Sequence, residues 1–203
     1  MSRSVTAEAG RSVTGFPVQK PRPPSSVRDQ AVFRTRWFDL VERTVLGAED
    51  PFYFVATLDY VSVVAVTADG QFLLVRQFRP AIGRETLELP SGHVEPGQTP
   101  VEAARQELLE ETGYDAERFV ELGVLSPCTG RLGNRLWCYF ADGAKPTHSP
   151  SAPEQGIRLE LVGGSLSAVL EHPEFVSALH HAALLLAVAK GFVQLEVETQ
   201  DSR

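Results

Sequence analysis

The stretch ELPSGHVEPGQTPVEAARQELLEETGY, from Glu88 to Tyr114, decides how the rest of this chain is read. It divides into a strand end, a glycine-rich loop, a capped helix and a glycine stop. Thr99 has an N-cap side chain, Pro100 suits a first helical position that has no N–H partner anyway, and Glu102 completes a Thr-x-x-Glu capping box. Gly113 supplies the left-handed residue that ends the last turn. These signals predict a helix of about 13 residues, roughly 20 Å long at 1.5 Å per residue.

At about 100° per residue, Val101, Ala104, Leu108 and Thr112 fall on one side of that helix, with Leu109 at its margin, and this side is expected to face a core. Glu107, Glu110 and Glu111 share another sector, and no lysine or arginine lies one turn away to relieve their repulsion. A solvated acidic face is the ordinary reading of such a cluster. The loop Ser91 to Gly97 shifts that balance, because two glycines and a proline at the helix N-terminus let backbone groups approach an ion or a phosphate closely. A hard divalent cation is the economical partner: Mg²⁺ takes oxygen ligands and keeps positions open for water and substrate phosphate.

Working outward, Thr86–Leu89 is a short strand leading into the loop, and before it Tyr60–Thr67 and QFLLVRQ flank the hairpin turn Ala68-Asp69-Gly70. Gln77-Phe78-Arg79-Pro80 ends the second of these strands, with a loop from Pro80 to Arg84. Further upstream, Ala31–Val45 reads as one strand, straight or bent, with Phe52–Asp59 as its return, together a small N-terminal β-layer. Residues 1–28, rich in Ser, Pro, Val and Arg, read as a mobile lead-in. Downstream, strands are expected at Phe119–Leu125, Arg135–Ala141 and Ile157–Val162, with loops at Ser126–Asn134 and Asp142–Gln155. Ser165–Glu171 reads as a short helix and Pro173–Lys190 as a long one, apolar nearly all round and stopped by Gly191. The division is therefore 1–28 lead-in, 29–59 β-layer and possible dimerisation element, 60–195 main domain and 196–203 tail. The expected class is α/β, a mixed central sheet sandwiched between helices.

With 203 residues and 43% hydrophobic content the chain can bury a sizeable core. A net charge of -7 argues against nucleic acid or an anionic membrane as the main partner. No run approaches the length of a membrane span, and the N-terminus lacks a signal-peptide core. Cys128 and Cys138 form neither a CxxC pair nor a disulfide framework, which makes a reducing cytoplasm the simplest compartment.

The central stretch resembles the Nudix box, whose pattern is Gly, five residues, Glu, seven residues, then Arg-Glu-apolar-x-Glu-Glu-x-Gly-apolar. Gly92, Glu107, Leu108, Glu110, Glu111, Gly113 and Tyr114 fall on it. Gln98 stands where the family has its first Glu and Gln106 where it has Arg; both exchanges remove a charge, so an amide pair can replace an ionic one without an orphan charge. The segments QFRP…ELPSG and SPCTGRLGNRLWCYFA resemble the ADP-ribose and nucleoside-diphosphate-sugar pyrophosphatase branch, as does the N-terminal β-layer, which in that branch commonly helps to form a homodimer.

The resemblance implies a Nudix-like α/β/α sandwich and metal-dependent hydrolysis of a diphosphate bond in a small-molecule nucleoside diphosphate sugar, with ADP-ribose the leading substrate. It implies Glu107, Glu111 and the Ser91 carbonyl as metal ligands, with Glu110 a ligand or a bridge through water. Mg²⁺ is the expected ion, with Mn²⁺ possible. Arg79 and Glu88, and more remotely Arg131 and Arg135, are candidates to meet the substrate, and Glu154 is the candidate general base beside Glu110 and Glu111. Trp37, Phe38, Phe52 and Tyr53 either stack on a nucleobase or simply pack. His93 is read as a loop residue, and His180 and His181 as serving packing or the surface of the terminal helix. Two other readings stay open: a catalytically weakened nucleotide-binding or regulatory protein, motivated by Gln98 and Gln106, and a Nudix hydrolase of other specificity.

Overall fold

A computed structural model of the chain describes residues 27–147, 156–163 and 165–195. The expected lead-in, apart from Val27 and Arg28, and the expected tail lie outside these residues. Two sheets are present. The smaller is a three-stranded antiparallel meander, β1 (Val27–Arg34), β2 (Asp39–Val45) and β3 (Phe52–Ala56). The strand expected over Ala31–Val45 is thus two strands of a hairpin. Thr35 makes the difference: its Oγ1 accepts the N–H groups of Trp37 at 3.0 Å and Phe38 at 2.9 Å, which folds the chain back on itself. This sheet rests on the main domain through Val55, whose N–H donates to the Arg131 carbonyl at 2.8 Å and whose carbonyl accepts from Gly133 N–H at 3.0 Å.

The larger sheet has β4 (Tyr60–Thr67) at its centre. Beside β4 lie β5 (Phe72–Arg79), β7 (Ser91–His93) and β10 (Leu136–Pro146). Three strands are added outside these: β6 (Arg84–Glu88) and β11 (Arg158–Val162) on β5, and β9 (Phe119–Leu125) on β10. The two-residue strand β8 (Tyr114–Asp115) pairs with the far end of β10. β10 runs parallel to β4 while the other pairings are antiparallel, so the sheet is mixed. Where a loop was expected from Asp142, β10 continues to Pro146 through a register shift around Gly143, whose φ of 61° only glycine adopts readily.

Helices cover both faces, which is why β4 reads as a continuous apolar run without polar alternation. Val61, Val63 and Ala65 pack with Ala103, Ala104 and Leu108 of α1 (Pro100–Thr112). Val64, from the opposite face, packs with Leu166 and Val169 of α2 (Leu166–Leu170) and with Ala183, Leu184 and Ala187 of α3 (Ala178–Ala189). The result is the α/β/α sandwich. Helix α1 has the expected capping box and a Gly113 C-cap at φ 73°. Its buried side differs from the periodic expectation: Val101 is exposed, while Ala103 and Glu111 are buried. Helix α3 starts at Ala178, five residues later than expected, where the Ser177 hydroxyl caps His180 N–H. It is also less enclosed than its composition suggests, with Leu185 67% exposed.

Candidate active site

β4 and β5 pair at Val66 and Phe72, and a cleft of about 930 Å³ is lined by residues of β4, β5, β6 and β7. On one wall is the turn from β6 into β7. Antiparallel pairing with β4 sets Ser91 opposite Ser62, and the Ser91 N–H turns to Glu111, donating to Oε2 at 2.9 Å. In a strand residue the carbonyl lies on the same side as the N–H, so the Ser91 carbonyl faces the helix as well. Gly92 sits under Glu107, and a Cβ on Gly92 would fall inside the Glu107 carboxylate. Here glycine is required for close approach, not for its φ.

Glu107 and Glu111, one helical turn apart, therefore flank the Ser91–Gly92 backbone and line the cleft. Among the described residues no three His, Cys, Asp or Glu side chains form a ready-made cage. Two carboxylates, a backbone carbonyl and open space nevertheless fit Mg²⁺, which is ordinarily held by one or two carboxylates together with waters and substrate phosphates. The donor set is all oxygen, which also suits Mn²⁺. The third glutamate is elsewhere. Glu110 is exposed, does not line the cleft, and accepts from Gln106 Nε2 at 2.9 Å. Gln106 Oε1 in turn accepts from Gln98 Nε2 at 2.8 Å, and Gln98 Oε1 accepts from Glu95 N–H at 3.1 Å. The two glutamines thus form the uncharged bridge that their sequence positions suggest, and it ends on Glu110.

The opposite wall carries Arg79, at the end of β5, with Glu88, at the end of β6. Arg79 donates through Nε to Glu88 Oε1 at 2.7 Å and through Nη2 to Oε2 at 2.5 Å, and Thr86 Oγ1 donates to Oε1 at 2.6 Å. Burial pushes the Glu88 carboxyl up, but the Arg79 fork and the Thr86 hydroxyl outweigh it and hold the group below its ordinary value. The Arg79 guanidinium is raised, chiefly by its bonds to Glu88. Glu88 is nearly enclosed and occupied, whereas Arg79 is 43% exposed and keeps donors beyond those two. The arrangement aims a fixed cation into the cleft.

Other candidates separate from this cleft. Arg131 does not line it; its guanidinium sits 5.7 Å from the Phe52 ring on the small sheet. Arg135 donates Nε to Asp59 Oδ2 at 2.9 Å, which also accepts from Trp137 Nε1 at 3.1 Å. Of Trp37, Phe38, Phe52 and Tyr53, only Trp37 lines the cleft. Glu154 lies outside the described residues, but Gly156 and Ile157, which follow it closely, line the cleft. His180, expected to serve packing or the surface of the terminal helix, is 6% exposed and also lines the cleft, and its Nδ1 accepts the Leu89 N–H at 3.3 Å. Burial holds this imidazole down to about 4, so it is neutral. Nothing in the helical pattern of α3 marks His180 apart from His181.

Comparison with known proteins bears on this arrangement. The family model for the NUDIX domain matches residues 57–160. An ADP-ribose pyrophosphatase of Bacillus subtilis (strain 168) is 42% identical over 82 residues, which are 40% of this chain and 44% of that protein; the chain thus spans less than half of that relative's length. An ADP-ribose pyrophosphatase of Mycobacterium tuberculosis is 29% identical over 141 residues, 66% of this chain and 68% of that one. A crystal structure of an ADP compounds hydrolase superposes with a TM-score of 0.68 at 21% identity, covering 86% of this chain and 100% of that one, which establishes likeness of fold. The family match covers just over half of the chain and contains the whole of the glycine loop and helix α1, so this protein belongs to the Nudix family.

Proposed function

We propose that the protein hydrolyses the diphosphate bond of a nucleoside diphosphate sugar, with ADP-ribose the leading substrate, adding water to give AMP and ribose 5-phosphate. The observation that carries this is the pair Glu107 and Glu111 flanking the Ser91–Gly92 backbone across a cleft from Arg79. Relatives named for ADP-ribose hydrolysis support the substrate class.

Glu107, Glu111 and the Ser91 carbonyl would hold Mg²⁺ or Mn²⁺. When bound, such an ion neutralises phosphate oxygens and lowers the pKa of a coordinated water. The chain's own residues do the rest. Arg79 binds non-bridging phosphate oxygens through the donors that Glu88 leaves available, so Glu88 acts by holding Arg79 in place. Gly92 keeps the Glu107 carboxylate against the loop. Glu154 is the group to which we assign the proton of the attacking water, supported by the cleft position of Gly156 and Ile157. Glu110 supports α1 through Gln106 and Gln98 instead of contacting the reacting atoms.

Exposed Phe33, Phe52 and Tyr53 on the small sheet support a homodimer formed through that surface. Among the described residues no helix is long and apolar enough to cross a membrane. Small molecules, not nucleic acid, are the ligands we assign, and the cytoplasm the compartment. The alternative of binding without turnover rests on Gln98 and Gln106; their intact bridge to Glu110 favours a working site. A panel of nucleoside diphosphate sugars, dinucleoside polyphosphates and coenzyme A, assayed with Mg²⁺ and with Mn²⁺, tests the proposal. ADP-ribose should give AMP and ribose 5-phosphate at the highest kcat/KM. Turnover of no nucleoside diphosphate sugar with either ion would overturn it.

A further inference from the structure

Three consecutive residues carry the chain from β6 into the glycine loop, and a different element holds each. The Leu89 N–H donates to His180 Nδ1 on α3 at 3.3 Å. The Pro90 carbonyl accepts from Val63 N–H on β4 at 2.9 Å. The Ser91 N–H donates to Glu111 Oε2 on α1 at 2.9 Å. The second contact continues a sheet ladder, and the third belongs to the site. The first asks why a histidine is buried at the wall of the cleft.

Leu89 is fully buried, so its N–H needs a partner inside the protein. Proline follows it, and β6 ends one residue before it, so no strand neighbour is at hand. His180 meets that need from 91 residues away. A backbone N–H can only donate, which fixes Nδ1 as the acceptor and puts the proton of the neutral ring on Nε2. Ser177 sets the ring's position along α3 by capping the His180 N–H, and the Phe175 ring lies 6.2 Å from the imidazole. Without the acceptor, the Leu89 peptide would be left unsatisfied or would rotate to find another partner. The Ser91 carbonyl, two residues on, would move with it, and cation ligands tolerate only about 0.2 Å of error.

We propose that His180 is a positioning residue: by fixing the Leu89 peptide it holds the Ser91 carbonyl in register with Glu107 and Glu111, so that α3 sets the affinity of the cleft for its divalent cation. This rests on the reading of those three groups as the cation's ligands. It makes the terminal helix part of the machinery of a site whose proposed cation and phosphate contacts lie between Arg79 and Glu111.

The test compares His180→Asn, whose Oδ1 falls near the position of Nδ1, with His180→Leu, which fills the space and accepts nothing, and His180→Gln, whose acceptor lies one bond too far. Three quantities are measured on the full chain: exchange of the Leu89 amide by NMR, affinity for Mn²⁺ by calorimetry, and kcat and KM with ADP-ribose. His180→Leu and His180→Gln should speed Leu89 exchange at least tenfold and weaken Mn²⁺ binding about 10–100-fold, as loss of groups that orient metal ligands does elsewhere. Their kcat should fall while KM for ADP-ribose moves little, and His180→Asn should stay within about threefold of wild type. Should His180→Leu fail to fold, the Asn and Gln variants decide between themselves. Mn²⁺ affinity unchanged in His180→Gln despite a deprotected Leu89 amide, or His180→Asn as weak as His180→Gln, would overturn the positioning role alone. Wild-type protein that binds no Mn²⁺ would overturn the cation reading and this inference with it.

Discussion

Helix α1 presents two acidic sides that sequence spacing does not distinguish and packing separates completely. Toward the cleft, Glu111 binds the Ser91 N–H and Glu107 covers Gly92, so both carboxylates lie against a strand backbone. Toward solvent, Glu110 ends an amide chain through Gln106 and Gln98. Glu110 and Glu111 are adjacent in sequence, yet one is exposed and the other 2% exposed. The difference teaches that i,i+3 and i,i+4 spacing identifies which carboxylates can meet, while the backbone opposite determines which of them can share an ion.

The comparison can be broken most forcefully at Glu111. Glu111→Gln keeps the size of the side chain and removes its charge; kcat should fall about a thousandfold, equivalent to ~4 kcal/mol of transition-state stabilisation, while circular dichroism still reports the native fold. Unchanged turnover in purified protein would remove Glu111 from the site. Gly92→Ala attacks the same side from the backbone. Its Cβ displaces the Glu107 carboxylate, so activity should drop about a hundredfold. The melting temperature should fall by only a few degrees, because the displaced atoms end a flexible side chain. A fully active Gly92→Ala enzyme would separate Glu107 from catalysis.

On the solvent side effects should be small. Glu110→Gln should lower kcat less than tenfold, since it changes the end of an exposed hydrogen-bond chain. The double substitution Gln98→Glu with Gln106→Arg, which replaces the amide bridge by an ion pair, should change activity by less than about threefold and leave stability within about 1 kcal/mol, the range of exposed salt bridges. A gain of a hundredfold or more would mean that the amide bridge limits the enzyme.

Much of this arrangement was legible because its signals are local. Thr99, Pro100, Glu102 and Gly113 mark both ends of α1 within a few residues, and the apolar run of β4 declares a strand buried on both faces. Features that turn on a single hydroxyl or on a distant partner were not. The hairpin of β1 and β2 depends on the Thr35 hydroxyl, the extension of β10 on pairing with Tyr114 and Asp115, and the late start of α3 on the Ser177 cap. In the site, the registry of β5 with β6 sets Arg79 opposite Arg84 and Glu88 opposite Val75, so the fork is made by two long side chains reaching along the strands, a contact that sequence does not print. His180 could not be distinguished from His181, because its partner is a backbone N–H on another element. Arg131 shares a turn-rich loop with Arg135, and only the small sheet's position shows that it meets Phe52 instead of the cleft.

The most direct test is the paramagnetic resonance of Mn²⁺ titrated into wild-type protein and into Glu107→Gln, Glu110→Gln and Glu111→Gln, each with a non-hydrolysable α,β-methylene analogue of ADP-ribose present. Wild-type and Glu110→Gln protein should bind the ion with affinities within about tenfold of each other, and Glu107→Gln and Glu111→Gln should each lose it by at least about a hundredfold. Equal loss in all three variants, or retention of Mn²⁺ by Glu107→Gln and Glu111→Gln, would contradict the division of helix α1 into a cation-binding side and a supporting side.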